Sequence, residues 1–320
     1  RGGGQDKTFP GKHKPDRFGN LPKKKAYPGV EEVFYDPEKV IVPGFLPDTS
    51  ESRAEIANYY QSCSRIDQGL GRLVELLKKN GKWENTVIIY TADHGMAFPG
   101  AKTTVYEAGL RVPFVVRHPR VVRKGRTNEA MLSHTDLTPT ILDLAGALNQ
   151  KKTAPSKPLP FDKVGVGENS GKRPVKYHGR SWLPILEETK PEGWDEISAS
   201  HTFHEIQMYY PMRVIRDRKY KLIWNIAHRQ PYPFASDLWV AATWQAQWSK
   251  GKGADYGGRT VDSYINRPEF EFFDIVSDPN ESRNLANDPV HADALASYKE
   301  RLKTEQKRTG DPWIMKWEYE

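Results

Sequence analysis

The sequence runs to 320 residues, with 48 Lys or Arg against 41 Asp or Glu, a formal charge of +7, 24 prolines and one cysteine. No apolar run approaches the roughly 20 residues of a membrane-spanning helix, and a lone Cys63 excludes an intramolecular disulfide. The excess charge would favour polyanions, but residues 23–25 and 303–308 supply much of it as solvated basic faces, so no nucleic-acid partner is expected.

Residues 1–48 are rich in Gly, Pro and Lys, show little periodicity and read as an extended surface segment. The chain opens at Arg1 without a methionine or a signal peptide, and an N-terminal half is expected to precede it. A long helix follows. Ser52 and Glu55 form a capping box, Asn80-Gly81 supplies the stop, and Ile56, Tyr59, Cys63, Ile66, Leu70, Leu73 and Leu77 alternate steps of three and four. That spacing predicts one buried stripe with Cys63 inside it.

Residues 87–90 are a short, β-branched apolar run, and Asp93, His94 and Gly95 follow it directly. In open α/β sheets ligands collect at the carboxyl ends of strands, so the pair reads as two metal ligands, with Gly95 letting the backbone turn. Asp suits calcium, magnesium or manganese and His suits transition metals, so the pair alone does not choose the ion. Lys102, beyond the Phe98-Pro99-Gly100 turn, can bring a cation to the same pocket, as an anionic substrate requires. Residues 112–117 read as a second buried strand.

Farther on, Asp136 reads as an N-terminal cap and His134 as a packed or hydrogen-bonded histidine before the helix that opens at Pro139-Thr140. Residues 150–176, rich in Lys, Pro and Gly, mark a boundary region, giving domains of 1–185 and 186–320. From Ile197 the pattern is β-like: residues 198–203, 212–216 and 221–225 form a meander around the polar turn at 217–219, continued by 271–275. His204 and Glu205 either rim a sugar pocket or merely end a strand. The aromatic loop 232–264, with Trp239, Trp244 and Trp248, either walls a sugar site by stacking or packs itself onto the domain. A terminal helix over roughly 290–307 turns Leu295, Tyr298 and Leu302 inward.

The order strand, Asp93-His94-Gly95, Gly100-x-Lys102, Tyr106-x-x-Gly109, then Arg111-Val112-Pro113 before a second strand resembles the sulfatase family of the alkaline phosphatase superfamily. So do His178-Gly179-Arg180-Ser181-Trp182-Leu183 and the run from Asp278-Pro279-Asn280-Glu281 to Asn284-Leu285-Ala286. Val42-Pro43-Gly44-Phe45, Ser200-His201-Thr202-Phe203-His204-Glu205, Tyr210-Pro211-Met212-Arg213 and Asp311-Pro312-Trp313 resemble its sulfamidase (heparan N-sulfatase) branch. The fold implied is α/β: an alkaline phosphatase-like mixed sheet flanked by helices, with a smaller C-terminal antiparallel-sheet subdomain packed by a terminal helix.

The resemblance also implies a calcium ion at Asp93 and His94, although many members carry asparagine where His94 stands. It implies a sulfate-binding, catalytic Lys102, and a formylglycine nucleophile made from the motif Cys-x-Pro-x-Arg or Ser-x-Pro-x-Arg. Cys63-Ser64-Arg65 is not that motif, because Arg65 and Asp67 stand where proline and arginine belong. The nucleophile is therefore expected in the preceding half, and this chain alone is expected to be inactive. Implied substrates are sulfate esters or sulfamates of saccharides such as N-sulfoglucosamine units, with His204 and Glu205 binding substrate. Implied locations are periplasmic, secreted or lysosome-like, and a homodimer is compatible. Two other readings stay open: a metal-dependent phosphatase or phosphonate monoester hydrolase of the same superfamily, and a non-catalytic polyanion-binding protein.

Overall fold

The computed structural model describes residues 18–20, 27–121, 125–148, 177–205 and 208–319, together with the backbone of two short paired strands, β1 (Gln5–Asp6) and β2 (Lys14–Pro15). Helix α1 (Ser50–Lys79) is capped by Thr49, whose hydroxyl accepts the Ser52 amide at 3.2 Å, and ends at Asn80 with Gly81 in the left-handed region, φ 65°. The expected Ser52–Glu55 box does not form, because Glu55 is buried against another element. Its carboxylate accepts the amides of Ala242 and Thr243 at 3.1 and 3.0 Å and the Thr243 hydroxyl at 2.6 Å, which makes its burial tolerable.

The apolar stripe of α1 divides in two. Its buried residues all lie in the first half, Ile56 completely so, whereas Cys63, Ile66 and Leu73 are exposed. Cys63 is therefore not a core residue: the described residues pack against the opening turns of α1 and leave this part of the stripe uncovered.

Strand β3 (Ile88–Thr91) pairs antiparallel with β4 (Phe114–Arg117), Ile88 opposite Arg117 and Thr91 opposite Phe114, and α2 (Glu107–Leu110) lies on the connection between them. Before α3 (Leu137–Leu144), Ser133 and Asp136 close a capping box. His134, expected to be packed or hydrogen-bonded, is exposed there, while Asp136 is buried and accepts the amides of Ser133 and Arg180 at 2.9 and 2.8 Å.

The meander forms as its pattern predicts. β5 (Glu196–His204), β6 (Met208–Asp217) and β7 (Tyr220–Asn225) pair in turn. Asp217 fixes the β6–β7 turn by accepting the amides of Lys219 and Tyr220 at 2.9 and 3.0 Å. The chain then forms α4 (Ser236–Trp239), α5 (Ala242–Trp248), β8 (Asp255–Tyr256), β9 (Arg259–Thr260) and α6 (Val261–Ile265), and β10 (Phe270–Asp274) returns beside β7. The sheet order is β10-β7-β6-β5, and every pairing among the described residues is antiparallel. Helix α7 (Ala292–Thr309) buries Tyr298 and Leu302 against Leu222 and Phe272.

The main core joins segments distant in sequence. Val40, Ile56, Phe98 and Val105 pack in one cluster with Tyr210, Met212, Trp244 and Tyr264. Charge adds a second link: Arg213 on β6 makes a two-pronged pair with Asp311 at 2.5 and 3.0 Å, with Trp313 stacked over the guanidinium at 4.6 Å. Two of the sulfamidase-like motifs thus meet each other through this pair.

Candidate functional site

Asp93 and His94 leave β3 together. The Asp93 carboxylate accepts the His94 amide at 3.0 Å and lies 3.5 Å from His94 Nε2, while His94 Nδ1 sits 2.7 Å from the Gly95 carbonyl. The Asp93 side chain is 86% exposed. The chain bends at Gly95 as expected, and a Cβ there would come within 1.8 Å of the Ala108 carbonyl oxygen, so glycine is also needed for close packing of the loop on α2. Among the described residues no three His, Cys, Asp or Glu side chains cluster closely enough to hold a metal. A hard oxygen and an imidazole side by side fit one side of a cation's shell, and calcium takes about six to eight ligands, so others must complete it.

Lys102 is held differently. Its backbone amide donates to Met96 at 3.2 Å, and its ammonium forms a 2.8 Å ion pair with Asp237 on α4; the two side chains are only 13% and 17% exposed. The loop around it is fastened by phenols from the segment that follows the meander. Tyr264 accepts the Gly100 amide at 2.7 Å, Tyr256 donates to the Pro99 carbonyl at 3.1 Å, and Tyr232 donates to the Thr103 carbonyl at 2.7 Å. Burial pushes the Tyr232 and Tyr264 phenols up, which keeps both neutral and hydrogen-bonding. Thr103 adopts φ 65°, a costly conformation for a β-branched residue, and the Tyr232 hydroxyl, 2.8 Å from the Thr103 hydroxyl, helps retain it.

A buried guanidinium ties these phenols together. Arg267 lies 3.6 Å from the Tyr232 ring centre and 5.0 Å from those of Tyr106 and Tyr264. Tyr106 in turn donates to Glu271 at 2.8 Å. Just beyond it, Glu281 accepts the Glu107 amide at 2.5 Å, and the fully buried Lys221 ammonium bridges Glu281 at 2.8 Å and Glu107 at 3.2 Å. Arg216 also pairs with Glu107 at 2.9 Å. Burial alone would raise the Glu107 carboxyl, but Lys221 and Arg216 outweigh it and hold the group below its usual range. The Asp278-Pro279-Asn280-Glu281 motif therefore anchors the segment that follows the Lys102 loop.

The remaining candidates come from other elements. His204 and Glu205 adjoin at the end of β5, with imidazole and carboxylate 4.0 Å apart. Trp244 is fully buried in the core, whereas Trp239 and Trp248 are part-exposed with ring centres 5.3 Å apart. A cavity of about 1700 Å³ opens between β4 and the β5–β6 face; Asp93, Arg111, Val115 and Ser200 line it, and Lys102 does not. The sequence gives no sign of Asp237 as the partner of Lys102, or of Tyr232 and Tyr264 as the phenols that fasten its loop. No local signal could have found them, since Lys102 and Asp237 are 135 positions apart.

Residues 9–147 match the Sulfatase family model. The chain is 33% identical over 283 residues to N-sulphoglucosamine sulphohydrolase of Homo sapiens, a match covering 88% of this chain and 53% of that protein. Residues 9–147 are thus a sulfatase-type domain by their family match. Solved structures share the fold. A solved protein in complex with its substrate, D-glucosamine-2-N,6-O-disulfate, shares the fold at a TM-score of 0.55 and 22% identity, over 84% of this chain and 44% of that one. Phosphonate monoester hydrolase of Agrobacterium radiobacter does so at 0.52 and 22%, over 81% and 43%. The α/β class expected from the motifs is thus the observed one, with antiparallel pairing throughout the described residues where a mixed sheet is expected. The chain spans about half the length of the curated relatives it matches.

Proposed function

We propose that this chain is part of a sulfatase that hydrolyses sulfate esters or sulfamates of saccharides, N-sulfoglucosamine units foremost. The observation that carries the reading is a desolvated ammonium, Lys102, fixed on the loop that begins with Asp93 and His94, an oxygen and an imidazole side by side. The relative named N-sulphoglucosamine sulphohydrolase and the neighbour holding a 2-N,6-O-disulfated glucosamine support the substrate class.

A sulfuryl group resists attack because the incoming oxygen approaches a centre already ringed by negative charge, so the site must supply positive charge in a dry setting. Lys102 holds one sulfuryl oxygen and offsets charge as the transition state forms. Asp93 and His94 would hold a calcium ion, which when bound polarises the sulfuryl oxygens. His204 and Glu205 orient the sugar by hydrogen bonds. The nucleophile, a formylglycine in this reading, is furnished by residues other than Cys63, whose neighbours lack the required proline and arginine.

The test is sulfate release by the full-length protein containing this chain, assayed with calcium on N-sulfoglucosamine, a chromogenic aryl sulfate and a phosphonate monoester. Sulfate release from the first supports the proposal. Turnover of the phosphonate alone would replace it with the phosphonate hydrolase reading.

A further inference from the structure

We infer that Asp237 is a positioning residue that aims the Lys102 ammonium at the substrate anion, an inference that rests on the reading of Lys102 as the sulfate-holding cation. A lysine carries a compact charge on four rotatable carbons, and an unrestrained one loses rotamer freedom each time it binds an anion. Here that loss is met beforehand. The 2.8 Å bond to Asp237 engages one of the three ammonium donors and leaves two for sulfuryl oxygens. The clasp is itself braced, because Tyr232 holds Thr103, the next residue, in its left-handed conformation.

A carboxylate beside an anion site carries a cost: it repels the ligand and weakens ground-state binding. Its presence so close to Lys102 is explained if orientation matters more than field strength, since a misaimed group can cost about a hundredfold in rate. Replacing Asp237 by asparagine keeps the shape and removes the charge, so position and affinity should move in opposite directions.

The experiment compares Asp237→Asn and Asp237→Glu with wild type in the full-length protein. In the asparagine variant kcat on N-sulfoglucosamine should fall about tenfold or more while KM stays level or drops, and glutamate should restore part of kcat. Acetylation of Lys102 by N-hydroxysuccinimidyl acetate, followed by peptide mass spectrometry, should run several-fold faster in the asparagine variant and return toward wild type with glutamate. Thermal melting separates loss of folded protein from loss of aim; should the asparagine variant melt early, the glutamate variant carries the labelling and kinetic comparison. Equal labelling rates, or kcat and KM equal to wild type, would overturn the inference. Absence of sulfate release by wild type, with labelling still unequal, would refute the sulfatase reading while supporting the Lys102–Asp237 clasp.

Discussion

One loop carries both halves of the candidate site, and its two ends are built to different standards. At one end Lys102 is 13% exposed and answered by Asp237 at 2.8 Å; at the other, Asp93 is 86% exposed and contacts its own neighbour, His94. The Lys102 end is finished by side chains from residues 232–281, which bury it among phenols and a guanidinium. A charge held in such low-dielectric surroundings acts more strongly than one in water and need not reorganise when an anion arrives. The contrast recurs in α1, where Ile56 is buried while Ile66 and Leu73 are exposed. Among the described residues, the part facing the C-terminal sheet is a closed core, and the part bearing Asp93 is exposed.

The largest expected effect tests how firmly the finished end is locked. Lys221→Ala leaves Glu107 and Glu281 facing each other without their shared cation and should lower unfolding free energy by about 3–5 kcal/mol, read by urea denaturation. An unchanged midpoint would break the contrast. Next, Ile56→Ala should cost about 2–5 kcal/mol, while Leu73→Ser on the exposed half of the same helix should stay within about 0.5 kcal/mol. Equal costs would show that the two halves of α1 are equally packed.

Tyr232→Phe removes the hydroxyl that retains Thr103 and should cost about 1–2 kcal/mol. The amides of residues 99–104 should then exchange faster than those of β6, as hydrogen exchange would reveal. The smallest effect is on the acid limb. Because the folded Glu107 carboxyl lies below its ordinary 4.5, its contribution is complete above that pH and is lost as pH falls through the depressed value. Glu107→Gln should therefore flatten the loss of stability below about pH 4.5, and an identical acid limb would remove Glu107 from the network's titration.

What was legible in the sequence was local. The strand before Asp93, the meander and α7 follow from periodicity and turn chemistry over a few residues, and the motif spacing led to the sulfatase family. What escaped was pairing across the chain. Glu55 read as a capping residue because Ser52 stands three places before it, yet its partners are Ala242 and Thr243. Cys63 read as core from spacing alone, which cannot say whether a neighbour covers the stripe. Arg213 and Asp311 each stand in a recognisable motif, but nothing in either motif says that they bond.

In the proposed reaction the sulfuryl group is held by the Lys102 charge. The most direct measurement is kcat/KM of Lys102→Ala in the full-length protein on N-sulfoglucosamine, alongside its melting temperature. A fall of about a hundredfold or more with the fold retained is predicted. An unchanged kcat/KM in a folded variant would contradict it.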